Sequence, residues 1–179
     1  MTKSLIWMTA LASALSLNVA QAKDSKKQAD LEILETKVAE HIRTFDDLDF
    51  NRFSNQDWDG FKLSHSEDVT VHWPDGHTTK GLKKHIEDMK YMFSYAPDTR
   101  IKEHPVKLGQ GDWTAVYGIM EGTFSKPMTT ADGKVIQPTG KSFKLPMATI
   151  SHWTKAGTFD EEYLFWDNQT YMNQLGLGK

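Results

Sequence analysis

The sequence predicts an α+β fold in which helices pack on one face of a curved antiparallel sheet and leave a hollow between them. Three observations predict it. Helical periodicity comes early in the chain and long strand-like alternation comes late, the order expected of segregated α+β layers. The strands are separated by Gly-rich connections, which favour antiparallel neighbours.

The elements follow in order. Asp24 to Asp30 is polar and Lys-rich and reads as a frayed lead-in. Leu31, Leu34, Val38, Ile42 and Phe45 recur at helical spacing with Glu and Lys between them, which predicts one amphipathic helix. Asn55 is a candidate cap for a short second helix carrying Trp58, Phe61 and Leu63. Val69 to Trp73 alternates as a strand until Pro74-Asp75-Gly76 turns the chain. A third helix is expected over Gly81 to Phe93, with Leu82, Ile86, Met89 and Phe93 on one face, and Pro97 ends it. Strands are then expected over Arg100–Leu108, Trp113–Phe124, Ser142–Trp153 and Phe159–Trp166. A long Pro/Thr/Gly loop fills Lys126 to Gly140, and a short helix closes the chain.

The first residues look like a leader. Lys3 is followed by an apolar run from Leu5 to Val19 and by Ala20-Gln21-Ala22, the charge, core and small-residue pattern of a secretory signal peptide. The run is shorter than the roughly 20 residues a membrane span needs. The expectation is a leader over Met1–Ala22 and one domain over 23–179, exported to the periplasm or secreted, with no membrane attachment after cleavage. The net charge of −3 and scattered Lys argue against a nucleic-acid partner. With 0 Cys, disulfides and thiol chemistry are excluded.

The chemistry-bearing stretch is Glu161–Leu177, "EEYLFWDNQTYMNQLGL". Alternation puts Glu161, Tyr163, Phe165 and Asp167 on one side of a strand, and Glu162, Leu164 and Trp166 on the other. If Tyr163 and Phe165 face the hollow, Asp167 arrives beside them as a desolvated carboxylate suited to act as a base. The competing reading makes Asp167 the N-cap of the last helix. One of His72 and Trp73 must face inward; His72 is a candidate proton shuttle, and Trp73 and Trp113 are candidate pocket walls. His72, Asp75 and His77 form only a weak metal pattern. His85 and His104 read as solvated.

The closing "NQTYMNQLGL" after Asp167, "DVTVHWPDGHTTKG", "YAPDTRIKEH" and "PTGKSFKLPMATISHW" together resemble the SnoaL-like polyketide cyclases over roughly Ala29 to Gly176. The resemblance implies a cone of the nuclear transport factor 2 type, and a homodimer paired through an exposed sheet face. It also implies a small apolar or polyketide-like ligand, and an intramolecular aldol condensation with Asp167 as general acid/base. Neither a metal nor an organic cofactor is implied. At the place where the family carries a His on its long central strand, this chain reads "GIMEGTF" with Met120. Two functions follow from this reading: a cyclase, isomerase or lyase, or a carrier that binds a small molecule in the same hollow.

Overall fold

Helix α1 spans Lys3–Asp47 and contains the apolar positions expected from Leu31 onward. A computed structural model describes the backbone of residues 3–178 and the side chains of residues 21–178. The side chains of the expected leader, Met1–Ala22, thus lie almost wholly outside the described residues. Among the described residues, no helix is long and apolar enough to cross a membrane. By its contacts the chain divides after Lys37, and the compact unit that begins at Val38 holds the whole sheet.

After α1 the chain tightens and loosens in turn. Leu48–Phe53 forms a π-helical turn, in which Ser54 N–H donates to the carbonyl of Asp49, five residues back. Such turns insert one extra residue and re-aim side chains, often at functional sites. The Ser54 hydroxyl also accepts from Ile101 N–H at 2.9 Å, fixing the turn to the sheet. A 3₁₀ helix follows over Trp58–Leu63. Its cap is Asp57, which accepts from Gly60 N–H at 3.2 Å. Asn55, the expected cap, instead donates to the Asn51 carbonyl.

The sheet comprises β1 (His65–His72), β2 (Thr78–Lys80), β3 (Arg100–Ile101), β4 (Val106–Gln110), β5 (Trp113–Thr123), β8 (Ser142–Trp153) and β9 (Phe159–Trp166). Helix α2 (Leu82–Tyr95) lies between β2 and β3, and α3 (Asn168–Leu175) follows β9. The expected single strand over Arg100–Leu108 is broken into β3 and β4, which pair with opposite ends of β5. The long loop contains a two-stranded ribbon, β6 (Met128–Thr129) with β7 (Val135–Ile136). The sheet order is β2-β1-β9-β8-β5-β3, antiparallel except where β1 runs parallel to β9. Gly176 ends α3 at φ 78°, a left-handed conformation open to Gly without strain.

Register decides which side chains point inward. Ser151 faces Glu162, Thr149 faces Leu164, and Met147 faces Trp166 across β8 and β9. Val116 and Met120 continue this inner face on β5, where Met120 pairs with Leu145. Phe45, Leu48, Phe53, Phe61, Met89 and Phe93 pack in the same buried core. Trp153 shows how well that core is matched: it is 1% exposed, stacks on His41 at 4.4 Å and donates to Thr114 Oγ1 at 2.8 Å. Trp153→Ala is expected to lower stability by about 3–5 kcal/mol. Trp153→Phe keeps most of the volume, gives up the bond to Thr114 and costs about 1–3 kcal/mol. Urea unfolding followed by far-ultraviolet circular dichroism checks both.

Candidate functional site

The inner face of the sheet, the end of α1 and α2 enclose a cavity of about 290 Å³. Its walls are mainly aromatic and aliphatic, including Phe61, Trp73, Met120, Leu164 and Trp166. Set into them are Asp49, His65, His85, Asp88 and Glu162. Apolar walls holding a few converging polar groups are the ordinary form of a small-molecule site.

Two ionisable clusters reach this cavity. In the first, β1, α2 and β9 each contribute one side chain. His85 Nε2 lies 3.3 Å from Glu162 Oε2, and His65 Nε2 lies 4.0 Å from the same oxygen. Both Glu162 and His85 are only 4% exposed. Burial disfavours charge on every member. It drives the His85 imidazole down to about 3 and pushes the Glu162 carboxyl up to about 8, helped by the charge of Asp49. His65 is held well below its ordinary value by burial and by its neighbour His85. The close approaches are therefore not ion pairs between imidazolium and carboxylate at neutral pH. Four buried atoms of the cavity wall have no hydrogen-bond partner among the described residues: His65 Nε2, His85 Nδ1, Asp88 Oδ2 and Glu162 Oε2. Unsatisfied buried polar atoms are rare, and four together mark this wall as built for something other than stability.

The second cluster is a relay. His104 lies between two acids of the α1 end and the π-helical turn, with Nδ1 2.8 Å from Asp46 Oδ1 and Nε2 2.9 Å from Asp49 Oδ2. Its side chain is 1% exposed. Burial alone would lower its pKa, but the hydrogen bonds and charges of Asp49 and Asp46 outweigh that and raise it. An imidazole that meets carboxylates on both nitrogens is satisfied only as the two-donor imidazolium. Burial pushes the Asp49 carboxyl up, and the His104 imidazolium opposes that rise. Lys107 Nζ approaches Asp46 Oδ2 at 2.6 Å, so the relay reaches from the protein surface to the cavity wall.

The structure redistributes the residues expected from sequence. Asp167 does not face the cavity. It caps α3, accepting from Gln169 N–H at 2.9 Å, Thr170 N–H at 3.2 Å and the Thr170 hydroxyl at 2.6 Å. The Thr170 hydroxyl and backbone N–H hold its carboxyl below the usual carboxylate range. Tyr163 and Phe165 share this outer side, Phe165 being 50% exposed, and so does Trp113 at 42%. His72 is outside as well, stacked on Tyr163 at 4.1 Å and paired with Glu161 Oε1 at 3.0 Å. Of the expected wall residues, Trp73 lines the cavity, its indole N–H held by Thr79. His77 pairs with Asp75 at the turn while His72 pairs with Glu161, so the His72–Asp75–His77 pattern does not assemble.

The structure keeps the alternation expected along β9 and turns the opposite side inward. Tyr163 and Phe165 suggest the core, whereas the inward side carries Glu162 and Leu164, both buried, and the half-buried Trp166. His85 and His104, read as solvated, are buried. For His85 a sequence signal existed: with Leu82, Met89 and Phe93 it lies on one stripe at three- and four-residue spacing. Nothing local distinguishes His65, or pairs His104 with acids more than 50 residues earlier.

Comparison with known proteins agrees with this architecture. Residues 50–175 match the family of SnoaL-like polyketide cyclases. No curated protein matches the sequence. A candidate SnoaL-like polyketide cyclase from Jannaschia sp. CCS1 superposes with a TM-score of 0.67 at 17% identity, covering 79% of this chain and 94% of that one. IdmH, a candidate polyketide cyclase from Streptomyces antibioticus, gives 0.63 at 21% identity, covering 76% and 98%. AclR, a candidate hydroxylase from Streptomyces galilaeus, gives 0.63 at 16% identity, covering 78% and 82%. At these identities the likeness is one of fold, which hosts more than one chemistry. The helices against a curved, open, mostly antiparallel sheet are those of the nuclear transport factor 2 type, and with the family match extending from the π-helical turn to α3, the chain belongs to the SnoaL-like polyketide cyclase family.

Proposed function

We propose that this protein is an exported enzyme that moves a proton next to a carbonyl in a small, largely apolar molecule, in the manner of a cyclase, isomerase or lyase. The observation that carries the reading is the convergence of two differently poised acid/base clusters on one apolar cavity. Asp49, held beside the His104 imidazolium, is the base. The His65–His85–Glu162 wall receives the carbonyl oxygen, where the buried carboxyl donates a hydrogen bond. The C–H bond breaks, its proton passes to Asp49, and the electron pair moves onto the oxygen as an enolate. That carbon then attacks a second carbonyl, or regains the proton elsewhere along the conjugated system. Separating two carboxyls into a neutral donor and an ionised acceptor is how one site performs both steps.

The test needs no knowledge of the natural substrate. Cyclic 1,3-diketones and β,γ-unsaturated ketones in deuterated buffer are expected to exchange their activated protons faster with the protein than with buffer. Proton NMR follows the loss of signal. Exchange at the buffer rate across the panel would overturn the reading.

One observation favours the carrier alternative: Met120, at the place of the family His, lines the cavity and adds apolar surface there. A carrier would bind the same ketones without speeding their exchange.

The reading includes a homodimer. The outer face of the sheet presents Trp113, Tyr117, Ile150 and Phe165, all exposed. They are contiguous by register, because Ala148 pairs with both Tyr117 and Phe165. A patch of this kind on one sheet face is suited to a self-complementary two-fold contact. Phe165→Asp is expected to convert the dimer to monomers by sedimentation velocity while the far-ultraviolet spectrum stays unchanged. A wild-type protein that sediments as a monomer removes the dimer from the proposal.

A further inference from the structure

We propose that His65, His85 and Glu162 form a binding site for a divalent transition-metal ion of the zinc class. One ligand atom from each of the three lies within 4.8 Å of the others, and all three residues are buried. A tetrahedral zinc with bonds of about 2.1 Å holds its ligands roughly 3.4 Å apart. The approaches of 3.3 Å and 4.0 Å to Glu162 Oε2 are of that size. They are also longer than a direct charge-assisted hydrogen bond between these groups would be.

The hydrogen-bond network around His65 supports the assignment independently. Ser64 Oγ donates to the Phe61 carbonyl at 3.1 Å, so its single proton is used. His65 Nδ1, 2.9 Å from the same hydroxyl and 3.2 Å from the same carbonyl, must then carry the hydrogen that makes those contacts. Its Nε2 is left with a bare lone pair, buried and without a partner. It lies 4.0 Å from Glu162 Oε2, which is also buried and without a partner among the described residues. At 4.0 Å the gap is too wide for the proton of a neutral Glu162 carboxyl to bridge the two atoms as a hydrogen bond, and it is wide enough for a bound cation. An imidazole fixed through one nitrogen by a backbone carbonyl, with the other bare, is the usual arrangement of a metal-bound histidine. Two imidazoles and one carboxylate form a ligand set that zinc accepts, with its remaining position open to water or a substrate oxygen. His65, His85 and Glu162 all line the cavity.

The inference departs from the metal-free site implied by the family resemblance. It rests on the cluster geometry and not on the proton-transfer reading. A cation here would polarise the same carbonyl oxygen that otherwise accepts the hydrogen bond of the Glu162 carboxyl.

The experiment uses the full chain, stripped by chelator and dialysed, then titrated with Zn²⁺ by calorimetry and with Co²⁺ by visible absorption. One Zn²⁺ per chain is expected, together with Co²⁺ bands of four- or five-coordinate intensity. In wild-type protein the ring signals of two buried histidines should move on adding Zn²⁺, a readout that needs no variant. Glu162→Gln, which keeps the volume and removes the charge, is expected to weaken Zn²⁺ at least about 100-fold, more than the loss of an outer-shell partner. His152→Ala removes the outer-face His152–Asp160 pair and should leave Zn²⁺ affinity unchanged. Absence of stoichiometric Zn²⁺ binding, or binding that survives Glu162→Gln and disappears in His152→Ala, overturns the proposal. If stripped protein still catalyses ketone exchange and takes up no Zn²⁺, this inference fails while the proposed function stands.

Discussion

Asp49→Asn is expected to lower protein-catalysed ketone exchange by about 10²–10⁴-fold, the usual contribution of a positioned general base. The amide keeps the shape and the contact with His104 but cannot take the proton, so ketone affinity stays within a few-fold of wild type. The control is Asp46→Asn. Asp46 holds the far nitrogen of His104 at 2.8 Å and does not line the cavity. It is a positioning residue, and its loss is expected to slow exchange much less than the loss of Asp49. Equal effects from the two variants would show that the relay matters only for folding. Single-turnover exchange rates and ketone affinities measured on both variants decide between these outcomes.

His104→Gln gives the second large effect, this time on stability and its pH dependence. Taking the imidazolium from between Asp46 and Asp49 leaves the cavity-side Asp49 without this cation while Lys107 still holds Asp46, which costs about 3 kcal/mol at pH 6, the lower end for breaking a largely buried pair. The groups facing His104 are Asp46 and Asp49, with Lys107 beyond Asp46. The folded pKa of His104 is raised above its unfolded value. The folded state therefore holds a proton that the unfolded state releases. The stabilisation is complete below the unfolded value of about 6.5 and is lost as pH rises through the folded value. The difference in melting temperature between wild type and His104→Gln should shrink as pH is raised from 6 to 9. A difference that is constant or grows over that range would show that His104 is neutral in the folded protein.

The legible parts of this chain are those in which neighbours along the sequence are also neighbours in space. β8 and β9 fall on the residues expected from alternation, Ser142–Trp153 and Phe159–Trp166. Pro74-Asp75-Gly76 turns where turn chemistry requires it, with Gly76 N–H donating to the Trp73 carbonyl. The cap reading of Asp167 was also available locally, because Asp-x-x-Thr geometry depends on only four residues. The break between β3 and β4 was not legible. It depends on one long partner, β5, which Arg100–Gln110 meets at two separate places.

The sequence by itself determined the element types, the helices-then-strands order, the exclusion of thiol chemistry and the existence of an aromatic-lined hollow. Period and turn chemistry are local, and they survive in any tertiary context that buries one face. Only the tertiary structure decided which face that is. Along β9 a shift of one residue exchanges Glu162, Leu164 and Trp166 for Tyr163, Phe165 and Asp167. Transfer energies do not separate the two sets, since each carries one acid and two large side chains with apolar surface. The choice is made by the register with β8, which places Glu162, Leu164 and Trp166 on the side of Ser151, Thr149 and Met147, and it leaves an aromatic surface exposed on the other side. Both candidate clusters join residues far apart in the chain: His65 and His85 with Glu162, and Asp46 and Asp49 with His104. Burying a charge is unfavourable until its partner arrives, and that partner is fixed by strand order and by the π-helical turn, neither of which any short stretch of sequence encodes.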